Sequence, residues 1–289
     1  MIPSAAPAIA WILGSIASIP LCAGSFACLI WGHPARRPSG HPPVLVFHTV
    51  TDAPRAGYSH LSVSRFAAFI ENLGRQGYAA TTIRGFSADA ALHSKCILTF
   101  DDGFSGTADS VLPILDRFGF KAVFFPVAGF LGRQSTWDVF AAQPHMTARQ
   151  VRAMAAAGHE IGSHGMTHAD LTMLPNADLR GELADSKKVL EDIIGMPVTS
   201  LSFPFGGWNR RVWQTAREIG YSRATIYRGL HDGSRDLFPA IGVYAFDGPD
   251  DLLGKITGKA GGNARARSRI MPHFAKGSPL WMFRSNYRL

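Results

Sequence analysis

The chain is short of cysteine and of charge, and one long stretch has no charge at all. Of its three cysteines, Cys22 and Cys28 fall inside an apolar N-terminal run, leaving Cys96 alone in the rest. That excludes an internal disulfide framework and says nothing of redox compartment. Charged residues make up only 17% of the 289 positions, against 46% hydrophobic, which excludes a disordered chain and allows a large buried core. No nucleic-acid motif accompanies the net charge of +8, and no internal repeat or low-complexity tract stands out. Much of the basic excess lies late, at Lys255, Lys259, Arg265, Arg267, Arg269, Lys276, Arg284 and Arg288. Such a cluster reads as a solvated or membrane-proximal tail.

Between Ala5 and Trp31 no side chain is charged. A helix needs roughly 20 residues to span a hydrocarbon core of about 30 Å, so the stretch is long enough. A cleaved signal peptide competes, but the basic n-region is missing and the apolar run exceeds the usual core. We expect a single-pass transmembrane anchor over 1–32, and a linker over 33–43, where HPARRPSGHPP is rich in proline and polar groups. The folded domain then covers 44–258, and a basic extension 259–289. Arg36 and Arg37, just after the run, favour a cytoplasmic domain by the positive-inside tendency.

Beyond the linker, strand-length apolar runs alternate with helical patterns, the signature of a βαβα fold. Strands are expected at 44–50, 96–101, 122–127, 160–163, 199–203, 223–226 and 240–244. Helices are expected at 107–117, 147–157, 176–194, 208–219 and 250–255. A further helix, with Ser64 as its N-cap, carries Phe66, Phe69, Ile70 and Leu73 at helical spacing. The fold class is α/β, a distorted barrel of about seven parallel strands, whose chemistry belongs at the C-terminal strand ends.

Polar residues collect at those ends. The run ILTF is followed by Asp101, Asp102 and Gly103. Adjacent carboxylates repel unless a cation or a proton separates their roles, although Asp-Gly is also a common turn dipeptide. A second cluster, HEIGSHGMTHADL, sets His164 and His168 four apart, a spacing that brings two imidazoles to one side of a helical turn. Two histidines and a carboxylate suit a borderline divalent ion such as zinc, with positions open for water and substrate.

With TFDDG at Thr99–Gly103, the histidine pair, and FPFG at Phe203–Gly206, the chain resembles the polysaccharide deacetylases with a NodB homology domain, carbohydrate esterase family four, over roughly 42–258. The resemblance implies that Asp102, His164 and His168 hold a divalent metal, zinc first, with cobalt, nickel or manganese as alternatives. It further implies that Asp101 is the general base and that the Phe205 backbone N–H meets the oxyanion. For the general acid it offers His48, in VFHTV like the strand histidine of the poly-N-acetylglucosamine deacetylase subgroup, and His231, in RGLHDGS. We favour His48, because first and last strands neighbour each other in a closed barrel. Two positions depart from the family pattern: Ser202 stands where many members carry an arginine that orients the base, and Gly165 where a Ser or Thr is usual.

Trp208, Trp137 and Phe130 are candidates for stacking on sugar rings, with core packing as the ordinary alternative. The function implied is metal-dependent removal of N-acetyl groups from an N-acetylated glycan, a polysaccharide or its lipid-linked precursor, at a membrane and by resemblance on its extracytoplasmic side. Hydrolysis of another amide on the same fold, and a non-catalytic glycan-binding or assembly role, are the alternatives.

Overall fold

Strands buried on both faces read as continuous apolar runs, and VLVF forms such a strand, β1 (Val44–Phe47), with every residue buried. The expected first strand breaks at His48; β2 (Thr49–Val50) then pairs with β3 (His60–Leu61). In the computed structural model, residues 41–53, 58–86, 94–135, 143–227, 235–259 and 261 are described. The expected anchor at 1–32, linker residues 33–40, Trp137, His231 and the extension beyond 261 lie outside them. Among the described residues no helix is long and apolar enough to cross a membrane.

Helix α1 (Val63–Arg75) buries Phe66, Phe69, Ile70 and Leu73, but its cap is Ser62 rather than the expected Ser64. Asp52 Oδ1 accepts the Val63 N–H at 2.9 Å, which starts the helix earlier. The remaining elements are β4 (Ala79–Thr81), β5 (Lys95–Asp102), α2 (Ser105–Arg117), β6 (Val123–Pro126), α3 (Ala148–Ala156), β7 (Glu160–Ile161), α4 (Asn176–Ile194), β8 (Ser200–Ser202), α5 (Arg210–Ile219), β9 (Arg223–Ile226), β10 (Leu237–Gly242) and α6 (Pro249–Thr257). Strand β10 begins before the expected Ala240 although Pro239, a residue that usually ends a strand, lies within it. Strand β4 was not expected; three residues are too few to set up an alternation.

All seven expected strands are found, and they run parallel in the order β7-β6-β5-β1-β10-β9-β8. A bridge between Ser163 and Leu201 nearly closes the ring from β7 to β8. First and last strands are neighbours as expected: Val44 to Val46 of β1 pair with Ala240 to Gly242 of β10. Strand β4 pairs with the first residues of β5, and β6 takes the last.

Successive side chains of a strand point to opposite faces, and two cores follow. Val44, Val46, Ile97, Val123, Phe125 and Phe238 fill the barrel interior together with Ile83 and Phe86. The latter two close the N-terminal mouth, where the Arg84 N–H donates to Glu160 and the Arg223 guanidinium to the Ile83 carbonyl. Leu45, Phe47, Leu98, Phe100 and Phe124 face outward against the helices. The rings of Phe47, Phe100 and Phe124 stack across three strands, with centroids 5.2 and 4.9 Å apart. Burying each such ring contributes about 1.5–3 kcal/mol, so the site above stands on a rigid floor.

Two boundary expectations change. His41 to Pro43, assigned to the linker, are buried, with His41 Nε2 bonded to the Arg235 carbonyl and its ring edge-on to Phe238. Lys255, assigned to the solvated basic tail, is buried on α6. Its Nζ donates to Asp247 Oδ2 at 2.6 Å and to the Gly242 carbonyl at 2.9 Å. A buried ammonium needs such partners.

Candidate metal centre and active site

Strand β5 delivers Asp101 and Asp102 at its C-terminal end. Alternation alone would set them on opposite faces of the sheet; the pattern breaks at Asp102, whose φ is 70°. Gly103 follows at φ 78°, and a Cβ there would come within 2.6 Å of Pro126 Cα, so the turn requires glycine. Among the described residues the non-glycine positions with positive φ are Asp102, His168 and Phe205. Each costs of order 1–3 kcal/mol and persists only where its surroundings impose it. All three are residues singled out for function.

His164 follows β7, and its Nδ1–H donates to the Ser202 carbonyl at 2.9 Å. That fixes the tautomer with the Nε2 lone pair facing the site. Contrary to expectation, His164 to His168 is a loop and not a helical turn. Gly165 at φ 80° and His168 at φ 64° turn the chain left-handed, and Glu182 of α4 holds it by accepting the Met166 and Thr167 N–H groups at 2.8 and 2.6 Å. The departure at Gly165 has its reason here, because a side chain is strained at a φ of 80° whatever the space around it.

The ligand atoms of Asp102, His164 and His168 lie within 4.8 Å of one another, all buried. Asp102 Oδ1 is 3.5 Å from His164 Nε2 and 3.3 Å from His168 Nε2. Burial first, with the neighbouring His168, pushes His164 down to about 3, so it is the neutral imidazole that a cation needs. Burial also opposes the charge on Asp102, but a hydrogen bond to His168 and the fields of His48, His168 and His164 outweigh it and hold its carboxyl below the ordinary range. A converging oxygen and two nitrogens, one fixed by an outer hydrogen bond, fit a divalent ion of the zinc type.

Asp101, 2% exposed, accepts the Ser202 hydroxyl on Oδ2 at 2.8 Å, while its Oδ1 is buried without a partner among the described residues. Thus the residue in the place of the family's arginine does orient the acid, as a neutral donor. Burial and the charge of Asp102 raise the Asp101 pKa, and the Ser202 bond lowers it. His48 directly follows β1, whose neighbour β5 ends in Asp101 and Asp102, and its ring feels the charges of Asp102 and His168. Burial depresses its pKa, and its Nδ1 has no hydrogen-bond partner among the described residues.

Phe205, at φ 57°, presents its ring edge-on to His168 with centroids 4.6 Å apart. Trp208 lies over Phe203, stacked at 6.3 Å and packed against the outer core. Phe130 sits 5.6 Å from the ring of His145. His145 itself escaped the sequence reading. It is 2% exposed between Phe104 and Phe130, and burial brings it down to about 4 despite the Asp102 charge. No strand end or motif marks it. Tyr227 also escaped, although it directly follows β9 and the strand-end rule could have found it.

Residues 90–224 match the family model described as polysaccharide deacetylase. YxkH of Bacillus subtilis, provisionally a polysaccharide deacetylase, is 29% identical over 185 residues, which are 62% of this chain and 62% of its own length. A peptidoglycan-N-acetylglucosamine deacetylase of Bacillus cereus is 28% identical over 196 residues, 62% of this chain and 81% of that one. The deacetylase PplD of Streptococcus pyogenes, solved with acetate, superposes with a TM-score of 0.66 at 19% identity, over 74% of this chain and 97% of that one. At such an identity the likeness speaks for the fold.

Proposed function

We propose that the chain, whose residues 90–224 match the polysaccharide deacetylase family model, hydrolyses N-acetyl groups on the amino sugars of a polysaccharide or lipid-linked glycan, releasing acetate. The observation that carries this reading is the pairing of a buried Asp102, His164 and His168 cluster with a neighbouring carboxylate, Asp101, that has one oxygen to spare. A binding protein has no use for that second acid.

In this reading Asp102, His164 and His168 hold a divalent ion, zinc first. When bound, such an ion polarises an amide carbonyl and makes a nearby water more acidic. Asp101 Oδ1 accepts the proton that water loses as its oxygen bonds to the acetyl carbon, and Ser202 keeps Oδ2 from turning away. Asp101 has to be a carboxylate to accept that proton, and a cation held beside it would favour that form against the burial that raises its pKa. The Phe205 N–H meets the oxygen that gathers charge. His48 supplies a proton to the departing nitrogen, because an amide anion is a very poor leaving group. Products are acetate and a free amine.

The charge-free run from Ala5 to Trp31 completes the proposal: it holds the domain at a membrane, on the extracytoplasmic side, where a glycan polymer is made or exported. The test is acetate release from N-acetylglucosamine oligomers by the metal-loaded chain, with chelator and Asp101→Asn as controls. Release that needs both metal and Asp101 is expected. No release from metal-loaded protein on any N-acetylated oligosaccharide would end the reading.

A further inference from the structure

Asp101 Oδ1, His48 Nδ1 and Tyr227 Oη are buried at the C-terminal mouth without a hydrogen-bond partner among the described residues. The proposed chemistry employs the first two and gives the third no task. Leaving a hydroxyl buried and unpaired costs about 1–3 kcal/mol, and phenylalanine would fill the same volume without that cost. A ligand that supplies the missing partner removes the discrepancy.

Position says which ligand atom that is. Tyr227 leaves the end of β9, and its ring packs on the interior core beneath the site. It also lies against the Pro204–Gly206 turn: a Cβ added to Gly206 would be 3.3 Å from the Tyr227 ring. Phe205, whose N–H meets the oxyanion in the proposed reaction, is the residue before that glycine. Burial and the nearby charges of Asp101 and Asp102 raise the phenol well above its ordinary pKa, so the group keeps its proton and acts as a donor. Neither carboxylate accepts from it in the structure. In amide hydrolysis the other atom that becomes strongly negative is the acetyl oxygen.

We propose that Tyr227 Oη is a catalytic hydrogen-bond donor to the acetyl oxygen of the substrate, acting beside the Phe205 N–H as that oxygen gathers charge. As the water oxygen bonds to the acetyl carbon, the carbonyl π pair moves onto the acetyl oxygen and the Tyr227 bond to it strengthens. When the C–N bond breaks, that pair returns, nitrogen takes its proton from His48, and Tyr227 ends with the proton it began with. The carboxylate of the acetate product retains an oxygen for the same hydroxyl. This inference rests on the deacetylase reading.

Tyr227→Phe in the full chain, loaded with zinc, removes one oxygen and keeps the ring. We expect kcat for N-acetylglucosamine oligomers to fall on the order of 10²-fold, as for loss of one oxyanion donor, with KM nearly constant and the melting temperature equal or higher. A kcat within about threefold of the parent would overturn the assignment, since a loss of that size is far below that of an oxyanion donor. Acetate titrated into the zinc-loaded proteins gives a second readout. Near-ultraviolet tyrosine absorption should change in the parent and not in the variant, with binding about tenfold weaker, roughly one hydrogen bond; identical titrations would overturn it. Should the parent release no acetate from any oligomer, the deacetylase reading falls, while the titration still decides whether Tyr227 meets a carboxyl oxygen.

Discussion

The two mouths of the barrel each bury an acid, and they treat it differently. At the N-terminal mouth Glu160 is 3% exposed, and both its oxygens are partnered, one by the Ser200 hydroxyl and the other by the Arg84 N–H. Ile83 and Phe86 seal it from below. At the C-terminal mouth Asp101 is buried as deeply but, among the described residues, has one oxygen partnered and one bare. Strain follows the same division: Asp102, His168 and Phe205, the non-glycine residues with positive φ among the described residues, all sit at the C-terminal mouth. A satisfied buried acid ties strands together; an unsatisfied one, in strained company, is held ready for something that arrives.

That contrast is sharpest in activity. Asp101→Asn, with bound metal verified, should lower acetate release about 10³-fold, the range of a general base, while Glu160→Gln should leave kcat within a few-fold and cost about 1–3 kcal/mol in a denaturant melt. A Glu160 variant as inactive as the Asp101 variant would break the distinction. Glu182→Ala frees the loop between His164 and His168 and, on the proposed reading, should weaken zinc binding about 10–100-fold in a chelator competition, without removing a ligand. Ser202→Ala leaves Asp101 without its orienting donor, and kcat should fall about tenfold while KM holds, equivalent to one hydrogen bond of roughly 1.4 kcal/mol; Ser202→Thr should restore most of it.

The smallest effect belongs to His159, which precedes Glu160 in the chain but packs its ring against Phe124 and faces Asp116. Burial and Lys121 depress its pKa against the pull of Asp116. A group depressed in the folded state binds protons more readily when unfolded, so its share of stability is complete above about pH 6.5 and declines as pH falls below it. The acid limb of the stability profile should be shallower in His159→Gln. An unchanged limb would show that the imidazole titrates alike in both states.

Much of the site was legible because its residues are local in sequence. Asp101 and Asp102 close one strand, and His164 and His168 follow another. The seven strands were legible for a similar reason, since each is an apolar run that needs only itself to be seen. What escaped depends on distance along the chain. The helical turn expected at His164 to His168 became a loop because Glu182, on a helix beyond it, captures its N–H groups. Ser202 read as a loss until its hydroxyl was found on Asp101, 101 positions away. His145 and Lys255 gave no signal, because each acquires its character from neighbours that folding alone supplies.

By itself the sequence determined which residue types stand at the ends of which strands, because an apolar run and the polar group that follows it are covalent neighbours. Tertiary structure decided which of those groups keep a bare atom: Glu160 loses both of its oxygens to partners, whereas Asp101, His48 and Tyr227 do not. Hydrogen-bond satisfaction depends on what other strands and loops bring within about 3 Å, and ring closure sets that distance.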